Sequence, residues 1–120
     1  MSSFEESLTD AEKNALSNLV AALAPFRILN PNMPMQYVTA LILVALKQGE
    51  SVMEYARTTG VSQSLMSRHF ADLGDINRHH KEGFNLVEKS CDPMDRRTQR
   101  VKLTKKGQRL VGEMLRALKT

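Results

Sequence analysis

The chain has one cysteine, Cys91, in 120 residues. A lone thiol cannot close an internal disulfide, so no disulfide framework supports the fold, and the composition fits a reducing, cytoplasmic setting. Long apolar runs are also missing. The longest, residues 38–46, contains Thr39 and is far too short to span a bilayer, so no membrane association is expected. The N-terminus, Met1-Ser2-Ser3-Phe4-Glu5-Glu6, is acidic and lacks the positive-then-apolar order of a signal peptide. There is no low-complexity tract and no internal repeat.

Catalytic and metal chemistry are poorly represented. No acid–base or nucleophile pair is set by spacing, and no glycine loop of the phosphate-cradling kind occurs. His69, His79, His80 and Cys91 reproduce neither a His-x-x-x-His nor a Cys-x-x-Cys pattern, and adjacent His79 and His80 suit a tetrahedral site badly. Lys89 and Arg96 lie near Cys91 in sequence and would stabilise a thiolate there, the one feature that points toward redox sensing. A non-enzyme without metal or cofactor is expected.

The length fits one domain, residues 1–120, and the formal net charge is +4. Distribution tells more than the total. Residues 57–109 hold twelve Lys or Arg against six Asp or Glu, a balance of +6, whereas residues 1–30 hold two against four, a balance of −2. Positive charge gathers in one half, as it would on a surface that meets a polyanion.

Thr9-Asp10-Ala11-Glu12 has the form of a capping box. Leu16, Leu19, Val20 and Leu23 then recur at helical spacing and predict about four turns, which Pro25 should bend or end. After the linker Asn30-Pro31-Asn32-Met33-Pro34, a second helix with Pro34 in its first turn carries Val38, Leu41, Ile42, Ala45 and Leu46 and stops at Gly49. Its wide apolar face predicts the centre of the core. Ser51-Val52-Met53-Glu54 is another capping box and opens a very short helix through Thr58. Gly60 permits a left-handed turn and Ser62 caps the next helix. There Met66, Phe70 and Leu73 line one face, while Gln63, Ser64, Ser67 and Arg68 lie largely away from it with Leu65 beside them. Two short helices about a glycine turn make a helix-turn-helix.

Beyond a stretch of low periodicity, residues 84–89 read as a strand, and Asp92-Pro93-Met94-Asp95 as a charged turn. Residues 98–103 read as a second strand that ends at Thr104, the cap of a last helix from residue 105 to 119. This hairpin carries adjacent Arg96 and Arg97 at its tip. The whole predicts a mainly α, winged helix-turn-helix fold with a small β-hairpin wing and flanking N- and C-terminal helices, and it points to duplex DNA.

Two stretches resemble the MarR family of bacterial transcriptional regulators. One is Gly60-Val61-Ser62-Gln63-Ser64-Leu65-Met66-Ser67-Arg68, similar to the family's turn and recognition helix. The other is Asn85-Leu86-Val87-Glu88-Lys89 with Asp92-Pro93-Met94-Asp95-Arg96-Arg97 and Leu103-Thr104-Lys105-Lys106-Gly107, close to its wing signature. The likeness covers roughly residues 35–112. It implies a homodimer that represses transcription from a pseudo-palindromic site and releases DNA on binding a small effector or on cysteine oxidation. Three departures stand out. The step from recognition helix to wing is longer by about seven residues, 74–80. The C-terminal portion stops at Thr120, where members often have two interleaving helices. Leu65 stands where a small polar residue is common. A winged-helix protein-interaction module, or an accessory replication or phage component, is the alternative function.

On the DNA reading, Gln63, Ser64, Ser67 and Arg68 are candidates for the major groove. Arginine pairs bidentately with guanine and glutamine with adenine. Ser62 and Ser64, near the helix start, can reach phosphates. Leu65 either touches a thymine methyl or folds back to the core. Arg68 could instead pair with Asp72, four residues on. The resemblance implies that Asp95 and Arg96 brace the wing as an ion pair while Arg97 enters the minor groove; chemistry alone does not separate the two arginines. Arg100 and Lys102 alternate with Val101 and Leu103 and are candidate phosphate contacts. Lys105 and Lys106 open a helix, where positive charge is unfavourable unless something negative lies nearby. For dimerisation the candidates are residues 1–30 and 105–120, through the stripes Leu16, Leu19, Leu23 and Leu110, Met114, Leu118. The same stripes could pack within one monomer.

Overall fold

A computed structural model describes residues 3–75 and 81–119. The elements run α1 (Ser3–Ser7), α2 (Asp10–Leu29), α3 (Met35–Leu46), β1 (Glu50–Ser51), α4 (Val52–Thr59), α5 (Gln63–Leu73), β2 (Val87–Asp92), β3 (Asp95–Leu103) and α6 (Lys105–Lys119). This is the expected winged helix-turn-helix order, with two additions. α1 was not foreseen, and neither was β1, whose two residues carry no periodic signal.

At the start of α2 the capping box forms in full. Thr9 Oγ1 accepts from the Glu12 amide at 3.1 Å, and the Glu12 carboxylate accepts from the Thr9 amide at 2.9 Å. Pro25 does not end this helix, which continues to Leu29. The proline removes one backbone bond, but Ala22 and Phe26 on either side are fully buried, and that burial holds the next turn in helical form. In α3, Val38, Ala40, Leu41 and Val44 are buried, which makes this helix the centre of the core; Leu46, expected to join them, is exposed. Pro34 is the residue just before the helix, with φ −62°, and not in its first turn.

The helix-turn-helix follows its sequence signals closely. Ser51 Oγ accepts from the Glu54 amide at 3.2 Å, but the Glu54 carboxylate turns to Arg57 at 2.6 Å, so only half of the expected box forms. Gly60 ends α4 at φ +76°, a left-handed conformation that a Cβ would disfavour. Ser62 Oγ then accepts from the Leu65 amide at 3.1 Å and starts α5. Met66, Phe70 and Leu73 face the core as expected, joined by His69, whose ring lies against Tyr37 at 5.2 Å between centroids.

The first wing strand begins three residues later than its sequence pattern suggests. Residues 83–86 close the end of α5 instead of pairing with β3. The Phe84 amide donates to the Asp72 carbonyl, Asn85 to Gly74 and Leu86 to Leu73, at 2.7–3.1 Å. Those carbonyls would otherwise be unsatisfied. Asn85 takes φ +57°, a conformation asparagine tolerates better than most residues. Residues 76–80, most of the extra segment, lie outside the described residues.

The sheet has the order β1-β3-β2, and both pairings are antiparallel. Thr104 joins it to α6. Its amide donates to the Leu86 carbonyl, its hydroxyl to the Asn85 carbonyl at 2.7 Å, and the same oxygen accepts from the Gly107 amide at 3.0 Å. A Cβ on Gly107 would lie 2.1 Å from the Leu86 oxygen, so the close approach of α6 to the wing base requires glycine. From there α6 packs on α2 within the same chain. Leu110 and Met114, expected at a dimer interface, are buried in this intramonomer contact.

Candidate nucleic-acid interface

Burial of Met66, His69, Phe70 and Leu73 turns the opposite side of α5 outward, so Gln63, Ser64, Leu65, Ser67 and Arg68 are all exposed. Leu65 is 38% accessible and therefore neither withdrawn into the core nor fully presented. The hydroxyl of Ser62 is committed to capping and lies 3.4 Å from that of Ser64. Among the described residues Arg68 has no ion-pair partner. Asp72, the partner considered for it, accepts the Tyr37 hydroxyl from α3.

Strand alternation sorts the wing residues onto two faces. Leu103 and Val101 are buried against the helices, and Gln99 and Arg97 continue that face beyond the core. On β2, Val87, Lys89 and Cys91 lie directly opposite Leu103, Val101 and Gln99. Lys89, Arg97 and Gln99 thus approach α5 from the wing. Together with Gln63, Ser67 and Thr98 they line a cleft of 570 Å³ that also takes in the start of α4. Its lining contains two cations and no carboxylate. Such a surface can donate hydrogen bonds and offer positive charge to an anion.

The even-numbered residues of β3 face the other way. Lys102 is exposed opposite Glu88. Arg100, expected as a phosphate contact, is instead half-buried: it donates to the Asp92 carboxylate at 2.8 and 3.0 Å and to the Gly49 carbonyl at 3.0 Å. Three of its five N–H donors are thereby used within the protein, in the wing and in the turn before β1. The bracing pair expected of Asp95 and Arg96 is likewise absent. Asp95 accepts from the Arg97 amide at 3.0 Å and from the Thr98 hydroxyl at 3.1 Å, and its carboxylate lies 3.5 Å from Arg97 Nε. Residues two apart on a strand share a face, whereas Arg96 projects from the other side. The Arg97 side chain is 95% exposed, so this weak pair leaves its guanidinium available.

Asp92 is held below the usual carboxylate range, first by the Met94 amide that donates to it at 2.8 Å and then by Arg100. The Arg100 guanidinium is correspondingly raised by Asp92. Lys89 and Gln99 did not stand out in sequence. Counting back by twos from the buried Leu103, and across to Val87, would have placed both on the recognition-helix side. Lys105 and Lys106 are exposed at the start of α6, and Cys91 is exposed on β2. Among the described residues no group of three or more His, Cys, Asp or Glu could hold a metal ion; His79 and His80 lie outside them. No described helix is long and apolar enough to cross a membrane.

Of the remaining dimer candidates, Leu16, Leu19 and Leu118 are about half exposed, and Leu23 packs partly against the core. Val20 and Leu115 add to the exposed apolar surface of the same two helices.

No protein-family model matches the chain, and no curated protein matches it significantly. Solved structures do. A MarR-like transcriptional regulator from Thermotoga maritima is 29% identical over 74% of this chain and 57% of its own, with a TM-score of 0.60. The chain therefore spans less than two thirds of that regulator. The transcriptional repressor CouR, solved bound to a 23-mer DNA duplex, is 24% identical and covers 100% of this chain and 78% of its own, with a TM-score of 0.63. PcaV of Streptomyces coelicolor, a transcriptional regulator solved with its natural ligand, is 20% identical over 75% of this chain and 57% of its own, with a TM-score of 0.58. The turn and wing signatures thus lie on a winged helix-turn-helix fold that matches solved MarR-like regulators.

Proposed function

We propose that this protein is a sequence-specific double-stranded DNA-binding regulator that acts as a homodimer and represses transcription by occupying its site. The observation that carries the reading is the cationic cleft between α5 and the wing, in which Gln63 and Ser67 face Lys89 and Arg97 without an intervening carboxylate. In this reading α5 enters the major groove. Gln63, Ser67 and Arg68 read base edges, Ser64 meets the backbone, and Leu65 rests on a thymine methyl. Ser62 contributes as the cap that fixes the helix start. Arg97 enters the flanking minor groove, with Arg96 and Lys102 at the outer edge of the wing near phosphates. Arg100 and Asp95 shape the wing and do not touch DNA.

The duplex bound by CouR is a precedent among proteins of this fold for such a partner. Residues 1–30 and 105–120 form the dimer, through Leu16, Leu19 and Leu118, with Leu23 at the edge. Leu110 and Met114 support the face from beneath. A small-molecule effector is part of the same proposal, in keeping with the ligand held by PcaV.

Titration of the protein against a genomic fragment library in gel shifts, at physiological salt, tests the function. Certain fragments should bind at least about a thousandfold more tightly than random duplex, the usual margin for specific sites. Equal binding to all fragments would remove sequence-specific regulation, and no binding at all would favour the protein-interaction reading.

A further inference from the structure

We propose that Arg100 is the positioning residue that sets the pose of the wing relative to the helix-turn-helix, and so the spacing between Arg97 and α5; its importance for DNA rests on the function proposed above. Arg100 stands at the middle of the sheet, opposite Ser90 on β2 and Ser51 on β1. Its guanidinium reaches outward along both neighbours. On one side Nε and Nη2 donate to Asp92, immediately before the tip residues Pro93 and Met94. On the other, Nη1 donates to the Gly49 carbonyl in the turn that leads from α3 to α4.

That turn is itself anchored to the helices. The Tyr55 hydroxyl of α4 donates to the Lys47 carbonyl and accepts from the Glu50 amide at 3.2 Å. The Gly49 amide donates to the Val101 carbonyl at 2.8 Å, and the Gln48 side chain accepts from the Leu103 amide at 2.9 Å. A continuous chain of bonds therefore runs from the wing tip through Asp92, Arg100, Gly49 and Tyr55 into α4. β1 is only two residues long and pairs with β3 alone. Beside these few bonds, the planar, forked guanidinium of β3 joins Asp92 of β2 directly to the turn that precedes β1. Lysine, a single point charge, cannot make both contacts in this geometry.

The experiment compares Arg100→Ala, Arg100→Lys and Asp92→Asn with the parent. Without DNA, spin labels on the native Cys91 and on Arg57→Cys, diluted with unlabelled protein, report the distance from wing to α4. Arg100→Ala and Arg100→Lys should broaden the distribution while the far-ultraviolet spectrum stays unchanged, and Asp92→Asn should broaden it less. On DNA that the parent binds, Arg100→Ala should weaken affinity about tenfold, the worth of one charged hydrogen bond. The slope of log affinity against log salt should not change, and little further loss should follow in an Arg97→Ala background. Unchanged distance distributions in all variants overturn the proposal. So does a salt slope smaller by about 0.9 for Arg100→Ala, the signature of a lost phosphate contact. If the distances broaden but the parent binds no duplex, the clasp stands and the DNA reading fails.

Discussion

Tyr37 on α3 donates its hydroxyl proton to the carboxylate of Asp72 on α5. The bond ties the candidate recognition helix to the central helix of the core. It also draws Asp72 across to α3, where no ion pair joins it to Arg68 one turn back on its own helix. The exposure of Arg68 is thus a consequence of packing as well as of helix position.

Tyr37→Phe should destabilise the protein by about 1–3 kcal/mol, since a part-buried carboxylate loses a hydroxyl donor while the ring stays in place. Urea denaturation measures this. A midpoint equal to the parent's would show that Asp72 finds an equivalent partner at once.

The parts of the fold that were legible in sequence are those that local chemistry decides. Thr9, Ser51, Ser62 and Thr104 each cap a helix with the hydroxyl that named them, and Gly60 takes the left-handed turn. What could not be read depends on distant partners. Residues 84–86 have strand-like composition, yet the unsatisfied end of α5 claims their amides. Leu110 and Met114 form the same periodic stripe as Leu118, and only the position of α2 decides which of them is covered. In the wing the sequence pattern showed which residues were cationic. It could not show that Arg100 would be drawn inward by Asp92 and Gly49, or that Lys89 would join Arg97 in the cleft, because both outcomes depend on register.

Asp92 sets a pH expectation. Its folded value lies below the ordinary 3.8 because the Met94 amide and Arg100 both favour the carboxylate. A depressed value means that the stabilisation is fully present above the unfolded value and is lost as pH falls through the folded one. The wing clasp should therefore hold throughout the neutral range and loosen only in strong acid. Carboxyl-detected NMR titration should find Asp92 below 3.8 in the parent. In Arg100→Ala the value should rise but stay depressed, since the Met94 donor, the larger cause, remains. A titration at the ordinary value in the parent would show that the clasp is not formed in solution.

The half-exposed and buried parts of the α2–α6 stripes should respond differently to substitution. Met114→Ala empties part of the core and should lower stability by about 2–5 kcal/mol. Leu19→Glu changes a half-exposed position and should leave the core intact while placing a charge in the proposed interface. In sedimentation the parent should then run as a dimer, and Leu19→Glu should shift toward the 13.5 kDa monomer. A parent that is already monomeric at micromolar concentration would rule out the proposed dimer.

The arginines and the lysine of the candidate interface should lose function in different ways. Arg68→Ala removes a proposed bidentate base contact, so it should cost about 1–3 kcal/mol on the preferred site and relax preference at the base it reads. Lys89, taken as a phosphate contact from its place in the cleft, should on change to Ala weaken binding to every duplex by a similar factor and reduce the salt slope by about 0.9, since such a contact carries charge and no sequence information. Arg97→Ala should remove protection of the flanking minor groove and leave preference in the central major groove nearly unchanged. Footprints and salt titrations on one binding fragment distinguish the three. Equal losses of affinity with identical footprints would mean that the cleft acts only as a diffuse positive surface, and that the base-reading role of α5 has been misassigned.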